Sequence, residues 1–392
     1  MSVNQPLNPS DRPIPFEVRW TEAEVGAVLD QVRAYPWPPA AQIPDGWAYG
    51  CDPDYLRALC DHWTGAFDWR AAMASLNRFP QYTARVEDFD LHFLHVVGEA
   101  QGKRPLLISH GWPGSHFEFW DVIEKLAFPS RFGGQAADAF DLVIPSLPGF
   151  GFSSKPSRPV GQRTTARLFN TLMTEVLGYE SYLAQGGDWG GMVTSWLGRE
   201  HGQSARAIHL NMLGFRPGVP PTTDDEKAWA KKMADGQAVV GAYFSLQASK
   251  PQSIAWMGAG NPAGQAAWIV ERFHDWSDLS ARSLDEVHPK DHLLTNIMIY
   301  VMTGSFTTSA WYYRGFLEEA GFVLAPGERC ETPTAVLNFP GEALYTPPPR
   351  SYAEHAYNIV RWTDMPRGGH FAAMEEPDLF VDDVRAWARE HG

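Results

Sequence analysis

The stretch Gly186-Gly187-Asp188-Trp189-Gly190-Gly191 decides the fold, and its central residue is an aspartate. Before it, Tyr182-Leu183-Ala184-Gln185 reads as a strand; after it, Met192-Val193-Thr194-Ser195-Trp196-Leu197 reads as a helix. Strand, sharp turn and helix, with glycines on either side of the turning residue, are what a nucleophile elbow needs, because small neighbours allow a strained turn to form. A serine at that turn would take an acyl group from an ester. A carboxylate attacks an sp³ carbon instead and becomes the ester itself, so the expected substrate is an alkyl electrophile such as an epoxide or an alkyl halide.

Outward from the elbow, strand and helix patterns alternate. Phe89–Val97 alternates like a half-exposed strand. Pro105–Ser109 is a short apolar strand running into His110-Gly111-Trp112-Pro113-Gly114-Ser115, and Asp141–Pro145 is another. A helix follows with Leu168, Phe169, Leu172, Met173, Val176 and Leu177 on one face, and Ala205–Asn211 is the strand after the elbow helix. This alternation predicts an α/β fold of the α/β-hydrolase kind, a mostly parallel central sheet with helices on both faces. Its active site should lie at the C-terminal ends of the strands.

Two regions break the alternation. Residues 1–85 read as an N-terminal accessory segment. In it Thr21-Glu22-Ala23-Glu24 forms a capping box before Val25, Val28, Leu29 and Val32 at helical spacing, followed by Pro36, Pro38 and Pro39. Trp37, Trp47, Trp63 and Trp69 then need a larger body to cover them. Residues 86–216 form the first part of the core. Residues 217–325 open with Pro217, Pro220 and Pro221, carry a second capping box at Thr223–Glu226, and read as a helical cap inserted after the sixth strand. Residues 326–392 complete the core, with strands at Thr334–Phe339 and Asn358–Trp362 and a last helix containing Leu379, Phe380, Val384 and Trp387.

Composition narrows the function classes. The 392 residues carry 46 acidic and 32 basic side chains, a net charge of −14, which gives no electrostatic reason to bind nucleic acid or anionic lipid. Cys51, Cys60 and Cys330 are odd in number and lack metal-ligand spacing, so neither a disulfide framework nor a metal centre is expected. Met1–Pro6 shows no basic or apolar leader, and no stretch is apolar for long enough to span a bilayer, so the chain reads as soluble and cytoplasmic.

In an α/β-hydrolase the nucleophile, acid and histidine follow in that chain order. Asp188 comes first, and His370, in the turn Gly368-Gly369-His370-Phe371, is the candidate base. Glu342 directly follows Phe339-Pro340-Gly341 at a strand end, where it can hold the imidazole in one tautomer; Asp364 is its competitor. Backbone N–H groups of Trp112 and Trp189 are the candidate oxyanion hole.

Together these motifs, with His209-Leu210-Asn211-Met212 and Arg367–Pro377, resemble α/β-hydrolase-fold epoxide hydrolases, in particular the microsomal type with its soluble fungal and bacterial relatives. The resemblance spans nearly the whole chain, N-terminal segment included. It implies a covalent ester on Asp188, hydrolysed by water that His370 activates, with an apolar epoxide and water as reactants and a vicinal diol as product. It implies no cofactor and no metal. It also implies two cap tyrosines that grip the epoxide oxygen: Tyr243, and Tyr313 in Thr308–Arg314, with Tyr312 a rival one residue away. With Trp112 and Trp189 these tyrosines are the expected substrate-binding residues. Neighbouring helix positions point about 100° apart, so only one of Tyr312 and Tyr313 should face the substrate. A haloalkane or haloacid dehalogenase would share the Asp-His-acid set, and a non-catalytic relative that binds a small apolar ligand would have lost part of it. A homodimer packed through the N-terminal segment is compatible with the sequence, as are roles in detoxification, xenobiotic degradation or biosynthesis.

Overall fold

Every residue of Pro105–Ser109 (β4), Asp141–Pro145 (β5) and Tyr182–Gly186 (β6) is buried. Strands buried along their whole length must be covered on both faces, and a parallel sheet flanked by helices does this. The computed structural model describes residues 12–40, 46–100, 102 and 104–391, with the side chains of 237–240 excepted; Met1–Pro6 lies outside the described residues. Among these residues the sheet has nine strands. With Ile14–Phe16 (β1), Gln81–Val86 (β2), Phe89–Val96 (β3), Ala205–Leu210 (β7), Cys330–Asn338 (β8) and Tyr357–Asp364 (β9), its order is β1-β2-β3-β5-β4-β6-β7-β8-β9. The pairings from β1 to β3 and of β3 with β5 are antiparallel, and all the others are parallel.

β1 and β2 lie within the segment that the sequence sets apart as accessory, so seven strands, not six, precede the inserted helices. Two features hide them. β1 is only three residues long and largely exposed. In β2, polar Gln81 is buried because its amide donates to the Leu76 carbonyl and its oxygen meets His92. The rest of the N-terminal segment packs on the same body. Its capping-box helix Glu22–Arg33 buries Val25 and Val32, Trp63 is buried, and Trp47 stacks on His274 at 3.9 Å.

Between β7 and β8 the chain is helical: Asp224–Val240, Ala242–Ser249, Pro251–Gly258, Pro262–Trp276, Leu284–Val287, Lys290–Thr303 and Ser305–Glu319. The Thr223–Glu226 capping box forms, satisfying backbone donors of the first turn. No helix among the described residues is long and apolar enough to cross a membrane.

β4 has β5 on one side and β6 on the other, so the direction of chain progression reverses beside it. A crevice opens at such a switch point, outside the carboxyl ends of the strands. The loop after β4 and the turn after β6 both end there.

Candidate active site

Asp188 begins the helix Asp188–His201 with φ of 48°, a left-handed conformation unusual for a residue with a side chain. The glycines around it are sterically required. A Cβ on Gly190 would lie 1.8 Å from the Ser109 carbonyl oxygen, and one on Gly111 would lie 2.2 Å from Asp188 Oδ1. The elbow is thus pressed against the end of β4, and the Trp112 amide donates to Asp188 Oδ1 at 2.8 Å. Trp189 sits in the first turn of the helix, where an amide has no partner in the helical ladder.

His370 is brought to the other carboxylate oxygen, with Nε2 3.5 Å from Asp188 Oδ2. Its Nδ1 lies 2.7 Å from Glu342 Oε2, and Glu342 Oε1 accepts from the amides of Leu344 and Tyr345. Asp364 is not in contact with His370. It pairs in register with Asn338 on β8 and accepts the Asn338 amide at 2.8 Å, which directs its carboxyl along the sheet. Burial opposes charge on the imidazole. The Glu342 carboxylate and the hydrogen bond towards Asp188 outweigh it, and the His370 pKa lies well above the ordinary histidine value.

Tyr243, on the helix Ala242–Ser249, and Tyr313, on Ser305–Glu319, line the same cavity as Asp188 and Trp189, a space of about 270 Å³. Trp112 stacks on Tyr243 at 5.5 Å, Trp189 meets Tyr313 edge-on at 4.7 Å, and the two tyrosine rings are 5.9 Å apart. Burial, followed by nearby charge, raises both phenols, so both are neutral donors at ordinary pH. The Tyr313 hydroxyl is buried with no hydrogen-bond acceptor of good geometry among the described residues. Tyr312 turns the other way and donates to Thr165 Oγ1 at 2.8 Å.

Three neighbours of the site are absent from the candidates drawn from the sequence. Trp276 packs between Tyr243 and His370 and accepts the His370 amide with its carbonyl. Arg272 holds its guanidinium over the Tyr243 ring, 5.3 Å from the centroid. Glu118 is half-buried, but its carboxyl is enclosed; burial is the main cause raising it to about 8, with His370 opposing and Asp188 adding. Its position three residues beyond Ser115, just after the His-Gly-Trp-Pro loop, was the available signal. Among the described residues no group of three or more His, Cys, Asp or Glu side chains is disposed to hold a metal ion.

A strained carboxylate at a strand-to-helix turn, touching a backbone amide on one oxygen and a carboxylate-paired histidine on the other, defines the α/β-hydrolase class with aspartate at the nucleophile position. Residues 13–119 match the family description "Epoxide hydrolase N terminus", and residues 104–248 match "alpha/beta hydrolase fold". Epoxide hydrolase 1 of Oryctolagus cuniculus is 32% identical, over 97% of this chain and 90% of its own. The structure of Aspergillus niger epoxide hydrolase superposes with a TM-score of 0.83 at 28% identity, covering 98% of this chain and 97% of that one. Juvenile hormone epoxide hydrolase from the silkworm Bombyx mori gives 0.84 at 26% identity, covering 97% and 94%. The chain belongs to the epoxide hydrolase family, and it is an enzyme that hydrolyses epoxides.

Proposed function

We propose that the enzyme opens an apolar epoxide through a covalent ester on Asp188, with Tyr243 and Tyr313 as acids and His370 as base. The carrying observation is the division of labour between the two Asp188 oxygens: Oδ1 accepts the Trp112 amide at 2.8 Å, while Oδ2 lies 3.5 Å from His370 Nε2.

In the first step Oδ2 attacks a ring carbon. The carbon–oxygen bond breaks, its electron pair passes to the epoxide oxygen, and a phenol donates the proton to that oxygen. Oδ1 stays on the Trp112 amide as the ester carbonyl. Esterification removes the charge of Asp188, and with it one of the contributions that hold the imidazole protonated. His370 can then give up its proton, which returns through solvent to the phenolate left by the first step, and the neutral imidazole takes a proton from water. The hydroxide adds to the Asp188 carbonyl carbon, the amides of Trp112 and Trp189 hold the oxyanion, and collapse releases the diol. Glu342 fixes the tautomer and the ring orientation throughout.

The same reading divides the chain at 85, 216 and 325 into accessory segment, core, cap and core, with the cap carrying both acids. It takes the enzyme to be cytoplasmic, and it leaves room for a homodimer packed through the N-terminal segment. Cell fractionation and light scattering on purified protein test those two points.

A single turnover in heavy-oxygen water tests the chemistry. The first diol should contain only ordinary oxygen, one atom coming from Asp188, and the label should appear in the protein. Heavy oxygen in that first diol would mean that water attacked the ring directly, and the ester scheme would be wrong.

A further inference from the structure

The cavity over Asp188 is lined mainly by apolar and aromatic side chains, and among the described residues its wall carries just one other charged residue, Arg216. The reaction proposed above uses no cation there. Arg216 is exposed at the rim, six residues past the end of β7. Its backbone is pinned: the amide donates to the Phe322 carbonyl at 2.8 Å, and its carbonyl accepts from Leu324 at 3.0 Å. Its guanidinium, by contrast, has no ion pair and no hydrogen bond among the described residues. Its charge reaches the rings of Tyr345 and Tyr352, which line the same cavity.

An aromatic wall joins this cation to the nucleophile. Trp189, next to Asp188, contacts Phe244 at 6.2 Å; Phe244 contacts Phe316 at 5.8 Å; Phe316 contacts Phe322 at 4.8 Å; and Phe322 holds the Arg216 amide. A ligand lying along this wall meets an electrophile-seeking carboxylate and two phenols at one end. It meets apolar surface in the middle, and a planar guanidinium with donor groups in a fork at the other end.

We propose that the preferred substrates are epoxides on an apolar chain that ends in a carboxylate, with the oxirane at Asp188 and the carboxylate paired with Arg216. This rests on the assignment of the cavity as the epoxide site and adds a specificity-determining residue to it. Arg216 contacts a part of the substrate that does not react, so its contribution is the same in the ground state and in the transition state. It therefore acts on KM and not on kcat.

The test compares ω-epoxyundecanoate with its methyl ester, which has the same chain without the charge, and uses styrene oxide as a reference epoxide. The wild-type enzyme should favour the acid over the ester by about tenfold in kcat/KM, the scale of one charged hydrogen-bonded pair. Added salt should shrink that preference. In Arg216→Gln the acid-to-ester ratio should fall to near one through a higher KM for the acid, and Arg216→Lys should restore part of it. Because the readout is a ratio within one protein, a general loss of activity or of folded protein cancels. A wild-type ratio near one, or a preference that survives in Arg216→Gln, overturns the proposal while leaving the hydrolase intact. Turnover of styrene oxide without turnover of either ω-epoxy compound overturns it in the same way. Absence of diol from all three compounds would strike instead at the assignment of the cavity.

Discussion

The rim of the sheet and the inserted helices each deliver reacting groups to the same cavity, but they hold them by different means. At the rim, position is set by backbone. Asp188 is held by a left-handed turn, by glycines that let Ser109 and Gly190 touch, and by the Trp112 amide. In the helical insertion, position is set by ring packing. Tyr243 lies flat on Trp112, Tyr313 stands against Trp189, and beside the Tyr313 hydroxyl lies the Tyr243 hydroxyl, without a hydrogen bond of good geometry among the described residues. A local device fixes the proposed nucleophile, whereas the two proposed acids are placed only when the insertion docks on the sheet. A buried hydroxyl left without an acceptor costs about 1–3 kcal/mol, and such a donor is poised to meet an oxygen that arrives with the substrate.

The largest effects should come from the rim. Asp188→Ala should abolish diol formation, because no neighbouring carboxyl occupies its place on the Trp112 amide. His370→Gln should stop the reaction one step later and leave a mass increase on the peptide bearing Asp188. Intact-protein and peptide mass spectrometry distinguish the two, and an unmodified peptide in the histidine variant would count against the two-step scheme.

The cap should respond less strongly. Tyr243→Phe and Tyr313→Phe should each slow ring opening by about 10²–10⁴-fold, the range of a single general acid, read by pre-steady-state formation of the ester. Tyr312→Phe is the control. It loses the hydrogen bond to Thr165, should cost stability by about 1 kcal/mol, and should leave the rate of ring opening near that of the wild type. If Tyr312→Phe slowed ring opening and Tyr313→Phe did not, the helix Ser305–Glu319 would be turned by one residue relative to the cavity.

The smallest effect sharpens the contrast between charge at the rim and neutral donors in the cap. Glu118, beneath the elbow, has its carboxyl raised to about 8, burial being the main cause. A carboxyl raised on folding contributes stability in full below its unfolded value near 4.5, and that contribution is lost as pH rises through the folded value. Glu118→Gln removes this loss, so the variant should gain on the wild type between about pH 5 and pH 8, by at most about 1.4 kcal/mol per pH unit. Denaturant titrations at the two pH values measure it. A stability difference that does not change with pH would show that the carboxyl is already ionised in the folded protein.

Residues whose role follows from their immediate neighbours were legible in the sequence. Asp188, the His110–Pro113 loop, Glu342 and His370 each stand at the end of a strand beside glycine or proline, and the structure brings them within contact of one another. Two choices were only narrowed, Glu342 against Asp364 and Tyr313 against Tyr312. The competition between Glu342 and Asp364 depends on strand register, since Asp364 lies opposite Asn338 and spends its carboxyl there. Trp276 and Arg272 join the site across long sequence separations, with no spacing rule to reveal them, whereas Glu118 closely follows the His110–Pro113 loop and only the packing around its carboxyl marks it out. β1 and β2 were missed for different reasons: a three-residue edge strand is too short to show a period, whereas β2 does alternate, with Tyr82, Ala84 and Val86 between Gln81, Thr83 and Arg85, but runs across the boundary drawn at residue 85.

By itself the sequence determined the reaction class, since it places a carboxylate at a strained turn that only glycines permit, in a chain patterned as strand and helix. The tertiary structure decided which carboxylate serves the histidine, which of two adjacent tyrosines faces the cavity, and that a lone arginine stands at the cavity's rim. The reason is range: turns and periodicity act over a few residues, while the orientation of a side chain in a cleft is set by whichever distant element packs against it.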